Sequence, residues 1–269
     1  MLAGVGTHAR PVERALALGH AASAAGALVG VLADQGPAVS GEGLPAESVS
    51  QSYFRVREEE LSDQQAALHG AMVVHRALDD LTDAPLSGGD LALELAGMRQ
   101  AVLDLTGTTP GTRRDAGPPE AGQEPRTQAS LEDAWSARWL IGHQVHVLFN
   151  ICAAVAVADA TALLRHGDSD AALVRLADAT TYVRGFPAAM THASTVPADY
   201  YMATIRRTMA PPSVDIPLSG RQHRGYKLFR AAMKDLLSVG PGLLRAAGGR
   251  HTGTGRGTGR PPGGRHRRR

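Results

Sequence analysis

Trp139, His143, His146 and Asn150 fall at i, i+4, i+7 and i+11 within the largely apolar stretch 138–150. That spacing puts an indole, two imidazoles and an amide on one face of a helix. Unpaired polar groups in such surroundings cost roughly 1–3 kcal/mol each, so these side chains need partners or a use. Two readings stand open. They are core histidines satisfied by their neighbours, or they line a pocket for a planar ligand. Neither Glu-x-x-His nor His-Glu-x-x-His occurs in the chain, so a di-iron bundle or a zincin helix is excluded. A nonheme iron held by His143 and His146 would need ligands from elsewhere.

Two further positions carry chemistry. Arg206 flanks the apolar face formed by Ala198, Met202, Ile205 and Met209. It either snorkels to water or reaches a pocket and grips a carboxylate bidentately. Ser219-Gly220 precedes a helix, where backbone amides can meet an anion. The Gly-Thr run 253–259 has no preceding strand or following helix and is no dinucleotide loop.

The elements that position these groups are helical. Hydrophobic residues make up 43% of the 269, with Ala dominant and aromatics at 4%, which favours an all-α bundle. The periodicity predicts helices over 11–34, 57–82, 89–105, 131–166, 169–184, 198–209 and 222–246, the last interrupted at Gly240-Pro241. The organisation expected is an N-terminal helical segment (1–106), a disordered linker (107–130), a helical core (131–247) and a disordered basic tail (248–269). Eight arginines lie from Arg245 onward, with no acid after Asp235, so the net charge of +2 hides a body of −6. The tail has no aromatics for base stacking, which argues against specific nucleic-acid binding. A single cysteine, Cys152, excludes an internal disulfide framework and a multi-cysteine zinc site. Uninterrupted apolar runs fall short of a membrane span, and the N-terminus is a poor secretory signal. The expectation is a cytoplasmic protein.

Taken in order, three segments resemble the tryptophan 2,3-dioxygenase family. The family's Phe-Ile-x-x-His-Gln corresponds to Trp139-Leu140-Ile141-Gly142-His143-Gln144. Its Met-Thr-Pro-x-Asp-Phe…Phe-Arg-Asp-x-Leu-x-Pro corresponds to Met190-Thr191, then Pro197-Ala198-Asp199-Tyr200, then Ile205-Arg206 onward to Pro211. Its Ser-Gly-Phe-Gln-Ser-x-Gln-Phe-Arg corresponds to Ser219-Gly220-Arg221-Gln222-His223-Arg224-Gly225-Tyr226-Lys227. The resemblance covers about residues 131–230.

It implies an all-α, heme-dependent, homo-oligomeric dioxygenase acting on tryptophan or a related aromatic amino acid. His143 would be the distal histidine near the substrate's ring nitrogen. Trp139 would line the substrate pocket, Arg206 would hold the carboxylate, and Ser219 and Gly220 would form the loop beside the heme. The family's axial histidine lies well downstream of Ser-Gly. Only His223, His251 and His266 follow Ser219 here, and none occupies the corresponding place. Two expectations follow. A change of reading frame near residue 245 would account for both the missing histidine and the Gly-Arg tail. Alternatively, the chain is a helical protein that binds a small aromatic or a partner without catalysis.

Overall fold

The computed structural model describes residues 11–35, 49–56, 61–107, 130–218 and 222–250. Within them the architecture is all-α: α1 (Pro11–Gln35), α2 (Val49–Phe54), α3 (Asp63–Asp80), α4 (Gly88–Thr106), α5 (Leu131–Arg165) and α6 (Ser169–Ser194). There follow α7 (Ala198–Tyr200), a π-helical turn (Tyr201–Ile205), α8 (Arg206–Thr208) and α9 (Arg224–Arg250). The described residues contain no strand. Segments 108–129 and 251–269, to which linker and tail were assigned, lie outside them.

Helix starts follow local chemistry. α3 begins at Asp63 rather than at 57 because Ser62 caps it. The Ser62 hydroxyl accepts from the Gln65 amide, and the Gln65 side chain accepts in return from the Ser62 amide. Such a reciprocal box satisfies two amides that would otherwise be orphaned. Ser87, Ser130 and Asp168 cap α4, α5 and α6 in the same sense. Gly107, at φ 63°, closes α4 in the left-handed conformation.

Three further departures from the sequence expectation concern α6, α9 and the segment 198–209. α6 does not stop at 184 but continues to Ser194, through Pro187. An interior proline costs about 3 kcal/mol. Burial of Ala188, Ala189, His192 and Ala193, all at 0% exposure, offsets that cost. α9 passes Gly240-Pro241 and ends at Arg250. The helix expected over 198–209 carries a π turn, which shifts the angular register of its residues. Met202 is consequently 61% exposed while Ile205 is 4% exposed, so the face drawn through Ala198, Met202, Ile205 and Met209 is not continuous.

α5 is the central element, packed by α3, α4, α6 and α9. One apolar cluster unites Leu18, Leu78, Leu95 and Met98 with Val145, Phe149 and Ala189. The helices on either side of segment 108–129 therefore share a core. Phe149 is wholly buried between two glycines: a β-carbon on Gly97 would lie 2.6 Å from its ring, and one on Gly185 would lie 2.7 Å from it. By length and composition α1 and α5 are each apolar enough to cross a membrane, against the expectation from uninterrupted runs alone. α5 turns much of that surface into the bundle, whereas α1 leaves Val12, Leu16 and Val31 exposed.

Candidate active site

The face read from the α5 sequence exists, and α2, α9 and the turn after α6 close around it. Trp139 is 8% exposed, and its ring centroid lies 4.2 Å from that of His143. Phe54, at the end of α2, also stacks on the His143 ring, at 4.6 Å and 17°. Gln144 donates to the Phe54 carbonyl at 3.1 Å. The adjacent His-Gln pair thus does one job in two parts: the imidazole takes the Phe54 ring and the amide ties down its backbone. Tyr53 extends the clasp through a hydrogen bond with Thr208 at 2.8 Å.

The proton positions follow from the partners. The Trp139 carbonyl can only accept, so His143 Nδ1, 2.7 Å away, carries the hydrogen and Nε2 keeps its lone pair. Burial pulls the His143 pKa down to about 4, with repulsion from His146 and His223 adding to it. The ring is therefore neutral near pH 7. His146 is also lowered by burial, and its Nδ1 has no hydrogen-bond partner. His223, just before α9, accepts from the Gly225 amide at Nδ1, 3.1 Å away. In the neutral ring the hydrogen then sits on Nε2, which is buried without a partner. Burial, and then His146, take His223 down to about 4. Asn150 donates to the His146 carbonyl, while its Oδ1 is a further unpartnered buried atom. Such atoms cost roughly 1–3 kcal/mol each, and here they gather on the α5 face that meets the start of α9.

The structure thus brings together Trp139, His143, His146 and Asn150, and adds Phe54, Tyr53 and His223. It does not bring in Arg206 as expected. The π turn directs Ile205 into the Trp139 cluster and leaves Arg206 exposed one residue later. Ser219 and Gly220 lie outside the described residues. α2 escaped sequence reading because six residues are too few to show a helical period. His223 stood in the sequence only as a departure from a motif.

A second polar group lies behind this face. Ala193, the residue after His192, fills the notch at Gly142, where a β-carbon would sit 2.6 Å from the Ala193 amide nitrogen. His192 has both ring nitrogens on carboxylates, Glu94 at 2.8 Å and Asp80 at 2.7 Å. Arg138, the residue before Trp139, completes the set with a 3.0 Å bond to Asp80. Burial lowers the His192 pKa, but the two carboxylates carry it past that to about 9.

The donors suit a heme. Among the described residues no group of three or more His, Cys, Asp or Glu side chains converges as a bare-ion site, which weakens the nonheme iron alternative. A porphyrin needs only axial nitrogens from the protein. His143 Nε2, with its tautomer fixed by a carbonyl on Nδ1, has the form of a metal-ligating imidazole. His146 adds a second ring in a neutral state, with its Nδ1 buried and without a partner. Burial pushes the Cys152 thiol up to about 12, so it supplies no thiolate.

The fold is all-α, and the family match makes the chain an oxidoreductase of a heme-dependent class. Residues 3–250 match the family described as SfmD 3-methyl-L-tyrosine peroxygenase, and the chain belongs to that family. No curated protein and no solved structure matches the chain. The resemblance to tryptophan 2,3-dioxygenases holds at the level of a heme-dependent oxygenase of related fold, while the matching family is the peroxygenase one.

Proposed function

We propose that the α5 crevice hydroxylates the ring of an aromatic amino acid with hydrogen peroxide, a phenol of the 3-methyltyrosine kind being the favoured substrate. The balance is simple: one ring hydrogen is replaced by hydroxyl, and peroxide leaves its second oxygen as water. The observation that carries this reading is the neutral, carbonyl-fixed imidazole of His143 against two aromatic rings, in a chain of the peroxygenase family.

Bound heme supplies the activation of peroxide. His143 or His146 would hold it, each through an unprotonated ring nitrogen. The imidazole that is not a ligand serves as hydrogen-bond acceptor, and His223 Nε2–H serves as donor. Together they present a donor and an acceptor to peroxide or to a phenolic hydroxyl. Being uncharged, they exchange hydrogen bonds without contributing a net charge. Trp139 and Phe54 wall the space with flat apolar surface and exclude water, which also orients a planar ring. Arg206 stands on the rim beside Ile205 and meets the substrate carboxylate from outside the pocket.

Hemin reconstitution followed by absorption spectroscopy is the first test, with a Soret band at one heme per chain expected. The loaded protein, given peroxide and 3-methyl-L-tyrosine, should yield a product heavier by one oxygen. L-tryptophan assayed in parallel decides between phenol and indole. Heme uptake with oxygen transfer only to tryptophan, and only from dioxygen, would overturn the peroxygenase reading. No uptake at all would favour the non-catalytic ligand-binding alternative.

A further inference from the structure

The chain is poor in aromatics, with 2 Trp, 5 Tyr and 4 Phe. Their distribution is uneven. Both tryptophans and three of the tyrosines, Tyr53, Tyr200 and Tyr201, gather on one side of His143. On the other side, His146 meets Phe186 at 5.3 Å, and Phe186 meets Phe229 at 5.4 Å. The second flank is carried by phenylalanines, with one tyrosine, Tyr182, 6.1 Å behind Phe149. Phenylalanine resists one-electron oxidation, whereas tryptophan and tyrosine accept it.

On the oxidisable side two ring contacts, joined through the Tyr200–Tyr201 peptide link, lead outward. His143 touches Trp139 at 4.2 Å, and Trp139 touches Tyr201 at 5.2 Å. Tyr200, next in the chain, lies 5.1 Å from Trp135, which is one helical turn from Trp139 on α5. Exposure rises along the path, from 8% at Trp139 to half-buried Trp135 and Tyr200. Tyr201, Tyr200 and Trp135 each keep partial exposure, so the path from buried Trp139 reaches solvent. The Tyr200 hydroxyl pairs with Ser136 at 2.6 Å and donates to the Glu132 carbonyl at 2.9 Å. A phenol so bonded at the rim has a route for its proton to water.

We propose that Trp139, Tyr201, Tyr200 and Trp135 form an electron-transfer outlet that drains oxidising equivalents from the site to the surface when peroxide is reduced with no substrate ring in place. This rests on the peroxygenase reading above. The balance closes as follows. Peroxide takes two electrons and two protons to become two waters. Each electron comes from Trp139, which is refilled through Tyr201 and its neighbours. A tyrosine releases its phenolic proton as it gives up the electron and regains one on reduction. A one-electron reductant in solution, of the ascorbate or thiol class, restores the outer residue twice per peroxide.

The heme-loaded protein is mixed with peroxide in the absence of substrate and freeze-quenched for electron paramagnetic resonance. A tyrosyl or tryptophanyl radical is expected in the parent. It should be lost in the triple variant Trp135→Phe, Tyr200→Phe, Tyr201→Phe, with several-fold faster bleaching of the heme. Peptide mapping should find oxidation at Trp135 and Tyr200 in the parent, moving to Trp139 and His143 in the variant. The single variant Trp135→Phe, at a half-exposed position, repeats the test with little demand on folding. Identical bleaching and no protein radical in the parent would overturn the proposal. A second arm needs no heme. Azide radicals from pulse radiolysis oxidise tryptophan first, and decay of tryptophanyl absorption with matching growth of tyrosyl absorption, independent of protein concentration, is the expected result. Its absence in the parent would sink the outlet even where heme chemistry succeeds, and its presence without heme uptake would place the fault in the peroxygenase reading alone.

Discussion

His143 and His192 lie on either side of the α5–α6 crossing at Gly142 and Ala193, yet they hold opposite charge states. His192 is fully buried and His143 partly so. His143 is given a backbone carbonyl and two aromatic rings, and stays neutral down to about pH 4. His192 is given two carboxylates, and stays protonated up to about pH 9. Burial opposes charge at both sites, so the partners decide. The difference separates a region built for holding the bundle together from one whose polar atoms are left open. Every polar atom around His192 except Glu94 Oε2 is taken, whereas His146, His223 and Asn150 each keep a buried atom without a partner.

The comparison is broken most forcefully at the charged side. His192→Ala leaves Glu94 buried without a partner while Asp80 keeps Arg138, and breaking a buried pair in this way costs about 3–5 kcal/mol. Urea denaturation should show that loss, and a loss below about 1 kcal/mol would mean the network is not structural. At the open side, Phe54→Ala removes the ring stacked on His143. Truncating a buried phenylalanine costs about 3–5 kcal/mol, here expected at the low end because α2 is short and peripheral. The same variant should move the His143 pKa up from about 4 toward its ordinary value, read by NMR titration, since burial is the main cause of the depression. A stability loss with an unmoved pKa would show that Phe54 does not shield the imidazole.

Acid and base should separate the two regions without mutation. His192 has a raised folded pKa, so its contribution is fully present below about pH 6.5 and is lost as pH rises through about 9. From that shift the loss is on the order of 3 kcal/mol. His143 and His223 have lowered folded pKa values, so their effect runs the other way, with stability falling as pH drops from about 6.5 toward 4. Denaturation midpoints across this range should fall on both sides of a maximum. His192→Gln should flatten the alkaline limb and His143→Gln should lessen the acid one. The smallest effect is expected at Arg206. A rim charge contributes about 1 kcal/mol or less, so Arg206→Ala should raise KM a few-fold with kcat unchanged. A collapse of kcat would instead put the guanidinium inside the working pocket.

Much of the bundle and one wall of the site were legible in the sequence, for a physical reason. α5 is long, and the positions of Trp139, His143, His146 and Asn150 repeat with the helical period, so their shared face could be read directly. What escaped reading lacked such a period or broke it. α2 has six residues, and its role in holding Phe54 over His143 depends on Gln144, far along the chain. The π turn at Tyr201–Ile205 adds a residue to one turn, which no uniform period anticipates; spacing left Arg206 at the flank of the apolar face, and only the family resemblance implied that it reaches inward. His192 went unread because Gly185 and Pro187 look like the end of a helix. Only packing against Phe149 and α5 shows why the helix continues past them.

The clasp formed by Tyr53, Phe54 and Gln144 has a practical consequence. Among the described residues, α2 is a short piece of the wall that stands apart from the long rods of the bundle. Exchanging its six residues redesigns the roof over the imidazole while leaving the foundations in place. A library confined to 49–54 is therefore a short route to changing what lies over the imidazole.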